Sequence, residues 1–167
     1  IATAAQLCVS VTVAGAVLYA NSTPRPADAD EAIAIGRKAA DYLISLNLAA
    51  GTPLEFMPPT YAGAGAFNKY QKPFMVRKNV MMNFPCVAAD AYLSLFDATK
   101  DKKYLEAAKK VADTYRKLQL PEGTWYQVVD NNTGKGAYPM HLNPVKVVRF
   151  ADRLVNQYGL GEYQEMR

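Results

Sequence analysis

From Tyr104 to Leu118 the apolar residues Tyr104, Leu105, Ala108, Val111, Ala112, Tyr115 and Leu118 recur at three- and four-residue intervals. That spacing is the signature of an α-helix with one buried face. Three further stretches read the same way. Asp28, Asp30 and Glu31 put acids in the first turn of a helix that carries Ile33, Ala40, Leu43, Ile44 and Leu46 through to Leu48. A second begins near Asn83–Pro85 and presents Val87, Ala88, Tyr92, Leu95 and Phe96. The last starts after Asn143–Pro144, runs to Tyr158 and is closed by Gly159. Short connections at 97–101 and 121–123 join helices into hairpins.

The remaining signals are few. Trp125–Val129 alternates like a short strand, and Asp130–Gly134 has Asx-plus-Gly hairpin chemistry. The 51–79 segment is long, aromatic and without periodicity, and loops of more than about 12–15 residues are often functional. The expected fold is all-α: stacked antiparallel α-hairpins with one small β-hairpin.

The chain has 167 residues, a length suited to one domain or a piece of a larger one. Hydrophobic residues make up 50% and charged residues 20%, which excludes intrinsic disorder. Net charge is +4, but the positives sit among acids, as in Asp101–Lys103 and Glu106–Lys110. That reads as a solvated helix face rather than a nucleic-acid patch, while leaving a modest attraction for an acidic polymer. Cys8, Cys86 and His141 are the complete Cys/His inventory; they allow one disulfide but cannot supply four zinc ligands. Cys86 after Pro85 reads as a small buried thiol. Residues 1–24 carry no charge and read either as a secretory signal remnant or as a buried helix, with a Pro-rich linker following to residue 26. The helical-hairpin domain is expected over 27–167.

Gln119, Gly123 and Trp125, following a helix, resemble the Gln–Trp repeat of α/α-toroid proteins. The chemistry needs those types at that spacing: an amide ties the helix end, glycine permits the bend, and the indole packs on it. A single copy is present, without the Asp-rich motif of terpene cyclases. Ala39–Ser45, Phe56–Tyr61, Ala88–Thr99 and 104–125 resemble the six-hairpin, or (α/α)6-toroid, carbohydrate-active proteins: glycoside hydrolases, polysaccharide lyases and sugar epimerases. A full toroid has twelve helices, so the resemblance implies a partial toroid, paired with a missing half or with a second copy.

The resemblance implies a domain that binds or cleaves a polysaccharide, uronate-containing or neutral, by acid/base chemistry of lyase or glycosidase type. It places the chain in a secreted or periplasmic setting. Tyr61, Glu55, Asp90 and His141 are the catalytic candidates: a phenol as base or acid, two carboxylates as a pair, and an imidazole as proton shuttle. Tyr70, Arg77, Lys78, Asn79, Trp125 and Asp130 are the substrate-binding candidates, as stacking rings, cations and amides. No metal or organic cofactor is expected: Asp130–Gly134 lacks the acids of a calcium loop, and no phosphate loop is present. A reading of another class is a non-catalytic helical-repeat module that binds a glycan or a protein on its loop rim.

Overall fold

A computed structural model of the chain describes residues 28–46, 51–57 and 79–167. Among these, the elements in order are α1 (Ala29–Leu46), β1 (Asn79–Met81), α2 (Pro85–Thr99), α3 (Lys102–Leu118), β2 (Val128–Asp130), α4 (Val145–Tyr158) and a terminal 3-10 helix (Gly161–Met166). The protein is mostly helical with a small two-stranded antiparallel sheet. The expected all-α class with little β structure is met at that level.

α2 is the middle of the core. Ala88, Ala89, Ala91, Tyr92, Leu93 and Leu95 are all buried, so the helix is covered on nearly every side. α1, α3 and α4 all pack against it. A helix apolar all round has to be an interior one, and its alanines allow neighbours to approach closely. Pro85 supplies the first turn, and Lys100 ends the helix at φ 59 with its N–H on the Phe96 carbonyl. Asp101 then caps α3 by accepting the Lys103 N–H at 3.1 Å. The turn is thus short and locally satisfied, which makes α2 and α3 an antiparallel hairpin.

α1 begins with Asp28 accepting the Glu31 N–H at 2.8 Å. Its buried face is built from Ala32 and Ala40, not from the isoleucines that the periodicity puts forward. Ile44 is 39% exposed. Small side chains let α1 sit close on α2, and the bulky ones are left outside.

α3 is tied to the start of α2 through Tyr115. Its hydroxyl donates to the Met82 carbonyl and accepts the Cys86 N–H, the latter at 3.2 Å. Burial, the dominant influence, pushes this phenol and the Cys86 thiol up from their ordinary values. Cys86 is a free, buried thiol. α4 closes at Gly159, φ +70, with Leu160 N–H bonded to the Leu154 carbonyl at 3.2 Å. The terminal 3-10 helix buries Tyr163 and Met166.

The strand chemistry differs in one respect from the expected hairpin. β2 pairs with β1 in the register Asn79↔Asp130, Val80↔Val129 and Met81↔Val128. Its other edge meets the returning chain, with Val129 bridged to Gly136 and Tyr126 to His141. The hairpin is present, and β1 adds a third stretch beside it. Among the described residues no helix is long and apolar enough to cross a membrane.

Candidate functional site

The motif at the end of α3 acts as its residue types demand. Gln119 Nε2 donates to the carbonyls of Gly123 and Glu165, each at 3.1 Å. Gly123 turns at φ +85. Trp125 is 1% exposed, and its indole N–H donates to the Tyr115 carbonyl at 2.7 Å. An indole buried on both faces offers no stacking platform to a sugar, so this residue holds the fold.

The other predicted residues are spread across the molecule. Tyr61, Tyr70, Arg77 and Lys78 lie outside the described residues. Asn79 is 7% exposed within β1, opposite Asp130. Asp130 Oδ1 accepts the N–H groups of Asn132 and Thr133, each at 3.0 Å, and so builds its own turn. His141 sits on the surface, with Nδ1 4.0 Å from Glu122 and its ring edge-to-face with Tyr126 at 5.6 Å.

Asp90 faces α4, where Arg153 contacts it at 2.8 Å and Asp97 at 2.7 Å. Ser94 Oγ accepts from the same guanidinium at 3.1 Å, and Tyr158 donates to Asp97 at 2.8 Å. Burial works to lower the Arg153 pKa, but the bond and charge of Asp90 outweigh it and leave the guanidinium raised. Asp90 is therefore a helix-to-helix clamp, and it is not brought together with Glu55.

Glu55 is placed where chemistry could occur. It lines a groove of ≈ 380 Å³ between α1, the 51–57 turn and α3. Leu43, Met57, Tyr92 and Ala107 form the inner lining, and Ile44, Phe56, Lys103, Glu106 and Lys110 stand at the rim. A second depression of ≈ 230 Å³ shares Glu55, Phe56 and Lys110 with it and extends to Lys117. Volumes of this order suit small-molecule and sugar ligands.

The rim is electrostatically uneven. Lys103 is held by Asp41 at 2.9 Å, and that hydrogen bond raises its pKa. Glu106 pairs with Lys109 at 3.6 Å and Asp113 with Arg116 at 3.8 Å. Lys110 lies 4.6 Å over the Phe56 ring, and Phe56 is 42% exposed. Among the described residues neither Glu55 nor Lys110 makes an ion pair.

Tyr92 is the residue that sequence reasoning passed over. Its spacing puts it on an apolar helix face, and at 2% exposure the residue is buried accordingly. Yet it lines the groove, and its hydroxyl has no hydrogen-bond partner among the described residues. Burial alone raises its pKa well above the ordinary phenol range, so it stays a neutral hydroxyl that can donate and accept. Such a group is fitted to bind rather than to abstract a proton. No spacing in the sequence could mark it, because only the approach of Met57 and Ala107 makes its surroundings a groove. Among the described residues no group of carboxylates, Cys and His is arranged to hold a metal.

No protein-family model, curated protein or solved structure matches the chain.

Proposed function

We propose that this is a carbohydrate-active helical-hairpin domain, arranged as part of an α/α toroid, that takes a polysaccharide or oligosaccharide along the groove beside Glu55. The observation that carries the reading is the concurrence, in one open groove, of a half-exposed ring (Phe56), a carboxylate (Glu55) and an ammonium (Lys110) that make no ion pair among the described residues, and a buried tyrosine (Tyr92) whose hydroxyl makes no hydrogen bond among them. Sugars need apolar ring faces together with groups that both donate and accept, and this lining has both. The cations suit a uronate-containing chain, in a secreted or periplasmic setting.

In the hydrolytic form of the reading, Glu55 works with Glu106, the other carboxylate of the groove, in place of Asp90. The lyase form rests on Tyr61, which lies outside the described residues. The non-catalytic module is the second reading, and one observation favours it: Asp90, Asp130 and His141 are each engaged elsewhere in the fold.

The test is a screen of the full chain against acidic and neutral polysaccharides. Binding, reducing-end release and absorbance of the unsaturated uronate are read together. Binding that is lost in Phe56→Ala supports the groove. Turnover that is abolished by Glu55→Gln supports the hydrolase, and binding without turnover supports the module. Absence of any binding sinks the proposal. On this reading the missing half of the toroid, or a second copy, would pack against α1, and the exposure of Ile35 (48%) and Tyr42 (63%) supports that choice of face. A monodisperse monomer in light scattering would count against the second copy.

A further inference from the structure

α1 is held differently from the other helices. α2 buries Tyr92, Leu93 and Leu95, α3 buries Tyr104, Val111 and Tyr115, and α4 buries Val147, Phe150 and Leu154. Among the described side chains of α1, the buried positions are Ala32, Gly36 and Ala40. Ile33 and Leu43 are half-buried, and Ile35, Tyr42 and Ile44 are exposed. Alanine and glycine remove little apolar surface from water, so this seam brings α1 close to α2 without holding it firmly.

Its attachment to α3 is polar. Asp41 Oδ1 accepts from the Tyr104 hydroxyl at 3.0 Å and lies 2.9 Å from Lys103 Nζ. The Lys103 and Asp41 side chains are 49% and 47% exposed, and an ion pair so wet adds little. Few buried apolar contacts and an exposed polar fastening mark an element that opens at a lower free energy than the whole fold. α1 also supplies Leu43 and Ile44 to the groove that Met57 and Tyr92 line.

We infer that α1 is a strap over the groove: it lifts as one unit while α2, α3 and α4 stay folded, Asp41 is the latch that holds it down, and each opening removes the Leu43–Ile44 wall and admits solvent to Met57. This holds independently of the carbohydrate reading, since α1 governs entry whatever the groove takes.

Two measurements on the full chain test it. Native-state hydrogen exchange in sub-denaturing urea, read by peptide mass spectrometry, should find the α1 amides opening together and roughly a hundredfold less protected than those of α2. Asp41→Asn removes the ion pair and weakens the bond from Tyr104; because Asp41 is exposed, the core stays intact. It should raise α1 exchange about three- to tenfold and leave α2, α3 and α4 unchanged. Hydrogen peroxide then reads the groove. Met57 lines it and is 4% exposed, Met82 is fully buried, and Met140 is 44% exposed. Met57 should oxidise slowly in the native chain and faster in Asp41→Asn, by the same factor as the α1 exchange, while Met82 stays resistant and Met140 keeps its rate. α1 amides as well protected as those of α2, or an effect of Asp41→Asn spread evenly over every helix, overturns the strap. Faster α1 exchange with Met57 oxidation unchanged overturns its control of the groove. Neither outcome bears on the polysaccharide screen, so the strap and the carbohydrate reading fail separately.

Discussion

The Trp125 indole N–H donates to the Tyr115 carbonyl at 2.7 Å, and the two rings meet edge to face at 5.9 Å. Tyr115 in turn joins the backbone at Met82 and Cys86. One chain of contacts thus runs from the hairpin through α3 to the entry of α2.

Trp125 is the single tryptophan of the chain, so its fluorescence reports this junction alone. Emission should be blue-shifted in the native protein and move to the water-exposed value on unfolding. Trp125→Phe should cost about 1–3 kcal/mol, from the lost N–H bond and a small cavity, and Trp125→Ala about 3–5 kcal/mol. Urea titrations followed by circular dichroism measure both. A native emission maximum at the exposed value would contradict the burial.

Arg153 joins two carboxylates of α2 to α4. Replacing it by Met leaves Asp90 and Asp97 without their cation in a half-buried position. Losses of about 3–5 kcal/mol follow when a fully buried pair is broken. Partial exposure here reduces the expectation to about 1–2 kcal/mol. A double cycle with Asp97→Asn should recover part of the loss, and strict additivity would show that the two residues do not interact.

Alkaline pH should weaken the fold. Burial, the largest cause in each case, raises the native Cys86 thiol above its ordinary 9.0 and raises Tyr92, Tyr115, Tyr158 and Tyr163 above 10.0. Above those values the unfolded chain releases protons that the native state retains, so stability falls as pH rises. Below pH 9 these groups contribute their full stability. The unfolding midpoint should stay level, as far as these groups go, from pH 7 to 8.5 and decline beyond pH 9, and Cys86→Ala should delay the onset toward pH 10. A midpoint that is constant to pH 11 would refute the assignment.

Gly136 lies under the Tyr126 ring so closely that an added Cβ would stand 2.5 Å from Cγ of that ring. Gly136→Ala must therefore displace the ring base, not a flexible tip, at a cost of about 1–3 kcal/mol. The Tyr126–His141 contact should loosen with it. The His141 ring proton shifts measure this in NMR spectra, and unchanged shifts with unchanged stability would count against the packing.

Helix positions were legible because each rests on local chemistry. Asp28, Pro85, Asn143 and Gly159 mark ends that the structure places within a residue or two of expectation. Gln119, Gly123 and Trp125 were legible for the same reason, since amide, bend and indole act within a few residues. The long-range relations were not. Nothing at Asn79 announces that it pairs with Asp130, and nothing at Asp90 announces Arg153, because sequence periodicity gives a face but not its partner. The terminal turn at 161–166 was missed for want of a periodic stretch long enough to read. The groove was half legible: Glu55 was named, while Tyr92, Glu106 and Lys110 became neighbours only through the packing of α3 against the 51–57 turn.

The pairing of β1 with β2 has a consequence in time. Asn79 and Asp130 are far apart along the chain, and both α2 and α3 lie between them. Closing so long a loop is entropically costly until something has already drawn its ends together. The α2–α3 hairpin, made of near neighbours, does that cheaply. The strands should therefore come together only after the hairpin has docked, and pulse-labelled exchange should find the Met82 amide, bonded to the Gln127 carbonyl, protected later than the amides of α2 and α3. The small sheet would then be the last latch to engage, a sign that the rest of the molecule has already arrived.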